Sequence, residues 1–179
     1  SGAGMFYTVP GDGRYMRGKD AIVVGGGNSA GQAVVHLAKH ARRVLLLIRS
    51  ASIRDNMSEY LVQLIEHLAN VEVRLNTELV DGAGDGVLRE IVVRDRLTGS
   101  QATLHDHTLF VLIGAHPHTD WLAGVVQRDD HGFVCTGADV AARGWPQSAA
   151  PDRLETSMPG VFAVGDVRHG SLKRVASAA

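Results

Sequence analysis

The chain has 179 residues, enough for one full domain or for one domain plus part of a second. Hydrophobic residues make up 45%, which supports a packed core and excludes a disordered chain. A formal net charge of −1 supplies no bulk attraction to nucleic acid or to a membrane surface, so neither is expected as a partner.

Cys135 is the single cysteine, so no internal disulfide can form, and a reducing, cytoplasmic setting is expected. No apolar run approaches the roughly 20 residues of a membrane span. Ser1-Gly2-Ala3-Gly4 lacks a basic and an apolar region, so it does not read as a signal peptide, and it lacks an initiator methionine. Val175 to Ala179 stops inside a helical pattern. Both ends are therefore expected to be cut points in something longer.

Residues 1–18 read as an ordered leading loop, glycine-rich with Pro10 and Gly11. Ala21-Ile22-Val23-Val24 is too short for a helix and is β-branched, so it reads as a buried strand. Gly25-Gly26-Gly27-Asn28-Ser29-Ala30 follows, and from about Ser29 to His40 Ala33, Val34, Leu37 and Ala38 recur at helical spacing. Gly25 permits a tight turn, Gly27 lets backbone approach a pyrophosphate, and Ala30 lets the helix sit close on the strand. This is the dinucleotide pattern G-x-G-x-x-A, with the phosphates on a helix N-terminus. The plain alternative is a glycine turn in an ordinary βα unit. Flanking by a strand and a helix favours the nucleotide.

Val44 to Ile48 is a continuously apolar second strand, as in a parallel sheet covered on both faces. It ends at Arg49-Ser50, with Arg54 close behind. An acid at this strand end would accept from the ribose 2′-OH of NAD, whereas an arginine accommodates a 2′-phosphate. Arg49 therefore favours NADPH, with NADH as the alternative, and Arg54 is expected to close on the same phosphate. A solvated arginine at a strand end is the bland reading.

Asn56-Met57-Ser58-Glu59 has the form of a capping box, and Leu61, Leu64, Ile65 and Leu68 mark one face of the following helix. Val71 to Leu75 is a strand. Asp81 to Gly86 reads as a turn cluster, Leu88 to Arg94 as a strand, Thr98-Gly99 as a turn and Gln101 to His105 as a strand. An antiparallel meander thus replaces one crossover helix. Leu109 to Ile113 is a fully apolar strand ending at Gly114. Residues 19–117 are assigned to a nucleotide-binding domain on this pattern.

From Asp120 the chain is rich in Gly, Asp and Ala. Phe133 to Thr136 reads as a short strand, Thr156 to Val167 as a strand stopping at Gly165-Asp166, and Ser171 to Ala179 as the start of a helix that Lys173-Arg174 opens. His105-Asp106-His107 and His116-Pro117-His118 are the densest histidine groups. Neither has the three or four convergent ligands of a zinc site, so no metal is expected. Ser29 is accounted for by the helix N-terminus, not by nucleophilic chemistry.

Three separated blocks now coincide: Gly25-Gly26-Gly27-Asn28-Ser29-Ala30, Phe110-Val111-Leu112-Ile113-Gly114, and Thr156 through Asp166. Together they resemble the thioredoxin-reductase branch of the two-dinucleotide flavoprotein oxidoreductases. The resemblance implies an α/β fold: a Rossmann-like parallel sheet with an antiparallel β-meander crossover, plus an incomplete second half of an FAD-binding domain over 118–179. It implies that Gly114 leaves space beside the nicotinamide, that Asp166 bonds the flavin's ribityl chain with Gly165 also at the cofactor, and that the intact protein carries hydride from NADPH to FAD. The 179 residues alone are expected to bind nucleotide without turning over. A homodimer is a further expectation.

Two departures qualify the resemblance. The family's Cys-x-x-Cys pair aligns with Thr8 and Gly11, so the acceptor is expected not to be that internal disulfide. The family's arginine run, His-Arg-Arg-x-x-x-Arg, reads Ile48-Arg49-Ser50-Ala51-Ser52-Ile53-Arg54, with one arginine lost. The wording of the fingerprint is similar to bacterial domains of this branch fused to sensor modules, so a nucleotide-sensing regulatory domain with vestigial redox activity is the alternative function.

Overall fold

A computed structural model of the chain describes residues 3–105 and 107–171. The helix expected from Ser171 onward, with Lys173-Arg174, lies outside the described residues. The chain divides into two compact units, Ser1–Gly114 and Ala115–Ala179. No helix among the described residues is long and apolar enough to cross a membrane.

The first unit is built on a five-stranded parallel sheet. Its strands are β1 (Met5–Phe6), β2 (Asp20–Val24), β3 (Arg43–Leu47), β4 (Val71–Arg74) and β8 (His107–Val111), in the order β1-β8-β2-β3-β4. Between β2 and β3 runs α1 (Asn28–Leu37), and between β3 and β4 runs α2 (Glu59–Glu66). The return from β4 to β8 is made by β5 (Thr77–Gly84), β6 (Leu88–Asp95) and β7 (Gln101–His105), which form their own antiparallel sheet. The expected parallel sheet with a meander in place of one crossover helix is what the chain forms.

Period-2 alternation sends successive side chains of the central strands to opposite faces. Ala21, Val23, Val44, Leu46 and Phe110 pack with Ala30, Val34 and Leu37 of α1 and with Leu61, Val62 and Ile65 of α2. Ile22, Val24, Leu45, Leu47 and Leu109 pack instead with Ile91 and Val93 of the meander. The sheet is thus the middle of three layers, which is why residues 21–24, 44–47 and 109–111 are continuous apolar runs. Each fully buried Leu, Ile or Val of this kind stabilises the fold by about 1.5–3 kcal/mol.

Several local expectations need correction. The leading segment is not only loop: Met5–Phe6 pairs in parallel with Leu109 and Phe110, and Met16, in a short 3₁₀ turn, is wholly buried. Helix α1 ends at Leu37, short of His40, and β3 ends at Leu47. Ser58, not Asn56, is the N-cap of α2 and makes no side-chain capping bond, so no capping box forms. The buried face of α2 is Leu61, Val62 and Ile65, while Leu64 is 48% exposed. Asp81 to Gly84 belong to β5 rather than to a turn, with register shifts between Leu79 and Asp81 and between Ala83 and Gly84. Strand β8 stops at Val111, and Ile113 is 63% exposed.

The second unit carries little regular structure. It has a four-residue helix, α3 (Ala138–Ala141), and short 3₁₀ turns at Asp120–Leu122 and Gly165–Val167. Val126, Val134, Cys135, Thr136, Val140 and Thr156 are buried. The strands expected over 133–136 and 156–167 are only isolated bridges, Val134 with Arg128 and Arg168, and Glu155 with Phe162. A strand needs a neighbour running beside it over several residues, and these segments meet for one residue at a time.

Candidate nucleotide site

The carboxyl ends of β2, β3 and β8 converge on the Gly25-to-Ala30 turn. Chain order places β3 and β4 on one side of β2 and β8 on the other, so β2 and β8 flank a switch point, where open α/β sheets take ligands. Gly25 has φ +146°, and its amide donates to the Leu47 carbonyl at 3.0 Å. A Cβ there would stand 2.3 Å from the Leu112 carbonyl oxygen and 3.2 Å from Ala30 Cβ. Leu112 is held in place by its amide bond to the Val24 carbonyl at 2.8 Å. Gly25 is therefore required by the protein's own packing. Ala30, fully buried, is the small residue that lets α1 sit down on the strand.

Gly27 differs. It is the N-cap of α1 in an extended conformation, φ −97° and ψ −178°, with no side-chain cap. An added Cβ would find its nearest neighbour, the Asn56 carbonyl oxygen, at 4.0 Å. The first helical bond is the Gly31 amide to the Gly27 carbonyl at 3.1 Å, so the amides of Asn28, Ser29 and Ala30 precede any helical acceptor. Asn28 and Ser29 are exposed. Ser29 does not cap the helix. Gly26 lies between, where a Cβ would approach Ile48 Cγ2 at 3.2 Å. The Asn28 side chain braces the two helices, because its Oδ1 accepts the Ser58 amide at 2.7 Å and ties the start of α1 to the start of α2.

This geometry fits a pyrophosphate. The space at Gly27 is open, the first amides of α1 have no helical acceptor, and this end of the helix carries the positive end of its dipole.

At the end of β3, Arg49 is exposed and its carbonyl accepts Arg96 Nη1 at 2.8 Å. Ser50 Oγ donates to the Ser52 carbonyl at 2.8 Å. Arg54 is committed elsewhere: its guanidinium pairs with Glu59 at 3.2 Å and with Glu66 at 2.9 Å. Gly114, φ +101°, has nothing within 4 Å of a built Cβ. Gly25 to Ala30, Arg49, Ser50 and Gly114 are thus gathered near one end of the sheet, whereas Arg54 is turned onto α2.

In the second unit, Gly165 is buried with φ +75° and Asp166 is exposed. Thr8 and Gly11, at the positions of the cysteine pair, are exposed. Cys135 is fully buried, and that burial pushes its thiol up, with Arg143 acting in the opposite sense. Buried and protonated, it is a poor redox partner. Among the described residues no three His, Cys, Asp or Glu side chains converge on a metal position. His105 lies 3.4 Å from Glu90 instead.

The sequence reading missed Arg96, the Asn28–Ser58 tie and strand β5. Asp81-Gly82-Ala83-Gly84 carries turn composition, and only pairing with β6 makes it a strand.

The signature of the pyridine nucleotide-disulphide oxidoreductase family matches residues 8–179. A thioredoxin reductase of Eremothecium gossypii is 34% identical over 165 residues, covering 92% of this chain and 47% of that protein. A thioredoxin reductase of Mycolicibacterium smegmatis is 32% identical over 181 residues, covering all of this chain and 53% of that protein. Among solved structures, the thioredoxin reductase of T. acidophilum superposes with a TM-score of 0.80 at 27% identity, over 99% of this chain and 54% of that one. The chain spans about half the length of these relatives.

Proposed function

The chain belongs to the pyridine nucleotide-disulphide oxidoreductase family, and from that premise we propose that it is the nicotinamide-nucleotide-binding portion of a thioredoxin reductase-like flavoprotein. In this reading the intact protein moves hydride from NADPH to FAD and passes the electrons to an acceptor other than a disulfide of the leading segment. The observation that carries it is the open space at Gly27, at the uncapped start of α1 and beside a Gly25 that the fold itself needs.

The chain's part is placement, because the cofactors bring the redox chemistry when bound. The amides after Gly27 hold the pyrophosphate, Arg49 with Ser50 meets the adenosine end, and bare Gly114 keeps room for the nicotinamide. Gly165 and Asp166 are the residues offered to the flavin. Thr8 and Gly11 cannot form a thiolate pair and Cys135 is buried, which supports an external acceptor. No observation favours the regulatory alternative.

Equilibrium titration of the protein with NADPH, followed by nucleotide fluorescence, tests the reading. Saturable binding that Gly27→Val removes is the expected result. Unchanged binding in Gly27→Val would take the pyrophosphate away from this turn.

A further inference from the structure

We infer that Arg96, on the β6–β7 turn, is a specificity-determining residue for the adenosine 2′-phosphate, supplying the second cation that the end of β3 lacks. The inference rests on the dinucleotide reading above. In that reading the adenosine ribose lies at the end of the second strand of the βα unit, where an acid or an arginine selects between NAD and NADP. Here that end is Arg49-Ser50, and Ser50 brings no charge.

Arg96 is brought to this place by hydrogen bonds that run across the fold. Its Nη1 donates to the Arg49 carbonyl at 2.8 Å. Its own amide donates to the Asn76 carbonyl at 2.7 Å, and the Asn76 amide donates to the Ser50 carbonyl at 3.0 Å. Asn76 adopts φ +49°, the only non-glycine residue with positive φ among the described residues. The tight β4–β5 connection thus stitches the meander to the end of β3, and Arg96 arrives with it.

The charges distinguish Arg96 from Arg54. Arg54 sits between two carboxylates, Glu59 and Glu66. Among the described residues Arg96 has one acid within reach, Glu78, whose Oε2 is 3.8 Å from its Nε. Glu78 shares its charge with Arg94, which donates Nε at 2.8 Å and Nη2 at 2.5 Å to the other oxygen, Oε1. The Arg96 side chain is 51% exposed. A guanidinium has five N–H donors in a planar fork, and the bond to the Arg49 carbonyl uses one of them. Arg96 reaches the end of β3 through the Arg49 carbonyl, and two exposed arginines offered from this one place suit a dianionic phosphate, which guanidinium groups grip bidentately. The pair that meets the 2′-phosphate is therefore Arg49 with Arg96.

Isothermal titration with NADP⁺ and with NAD⁺ tests this, since the two probes differ by the 2′-phosphate alone. In Arg96→Ala, affinity for NADP⁺ should fall about tenfold or more, with NAD⁺ affinity within about twofold. Arg96→Gln keeps a donor for the Arg49 carbonyl but no charge, and it should lose the discrimination as fully as the alanine variant. Arg54→Ala should keep the wild-type ratio. Recovery of the ratio in Arg96→Gln, or equal loss of both probes in Arg96→Ala, would reduce Arg96 to a structural staple and overturn the inference. Wild-type protein that binds NAD⁺ and NADP⁺ equally would also overturn it while leaving the fingerprint reading intact. Wild-type protein that binds neither would remove the fingerprint reading itself.

Discussion

Gly25 and Gly27 lie two residues apart and are glycine for different reasons. Gly25 holds φ +146° with the Leu112 carbonyl 2.3 Å from where its Cβ would be, so Gly25→Ala should destabilise the fold by at least about 2 kcal/mol. A shift in the urea midpoint reads this directly. Gly27 has an ordinary extended conformation and open space, so Gly27→Val should keep its melting temperature while nucleotide binding falls at least about tenfold. Opposite outcomes at the two positions would separate a folding glycine from a ligand glycine. Arg49→Asp should weaken NADPH far more than NADH, because the acid accepts from a ribose hydroxyl and repels a phosphate. Both glycines were legible in the sequence as one motif. Their separate roles, a turn at Gly25 and room for a ligand at Gly27, were expected from it too; what was not legible is the contact that fixes Gly25, because Leu112 lies far along the chain.

At the scale of elements, the meander takes the place a crossover helix would fill and must seal the second face of the sheet. Ile91, 2% exposed, is central to that seal, so Ile91→Ala should cost about 2–5 kcal/mol in chemical denaturation. The α1–α2 contact depends on a smaller device. Asn28→Ala removes the acceptor of the Ser58 amide and should cost about 1 kcal/mol, read as a lowered melting temperature. The helices and central strands were readable because burial imposes a period on their side chains. Strand β5 was not, because Gly82, Ala83 and Gly84 have no side chains that announce a strand, and backbone pairing with β6 alone makes them one. The second unit failed in the opposite sense: apolar runs there suggested strands, but the described residues pair there only through isolated bridges and a few backbone bonds.

At the scale of the whole molecule, each unit holds a carboxylate that should make it sensitive to acid. Asp20, its side chain 16% exposed, is kept below the usual carboxylate range by the two hydrogen bonds of Arg42, which outweigh its burial. Burial opposes ionisation of Asp129, yet His169 and the amides of Phe133 and His131 still hold its carboxyl low. A carboxyl depressed in the folded state adds stability above its unfolded value of about 3.9 and loses that contribution as pH falls through the folded value. Stability should therefore drop below about pH 4, and Arg42→Ala should flatten part of that slope in denaturation curves taken at pH 7 and pH 3.

What the sequence determined by itself is whatever depends on neighbours along the chain: the strand-turn-helix fingerprint, the order of the central elements and the replacement of a helix by a meander. Periodicity and glycine placement are local properties, and they can be read residue by residue. Only the tertiary structure decided which arginines stand together. Arg54, close to the strand end in sequence, is drawn away by two carboxylates on a helix, while Arg96 is carried to the Arg49 carbonyl through a connection made elsewhere. Ion pairs and hydrogen bonds depend on distance in space, and spacing along a chain does not encode that until the chain has folded.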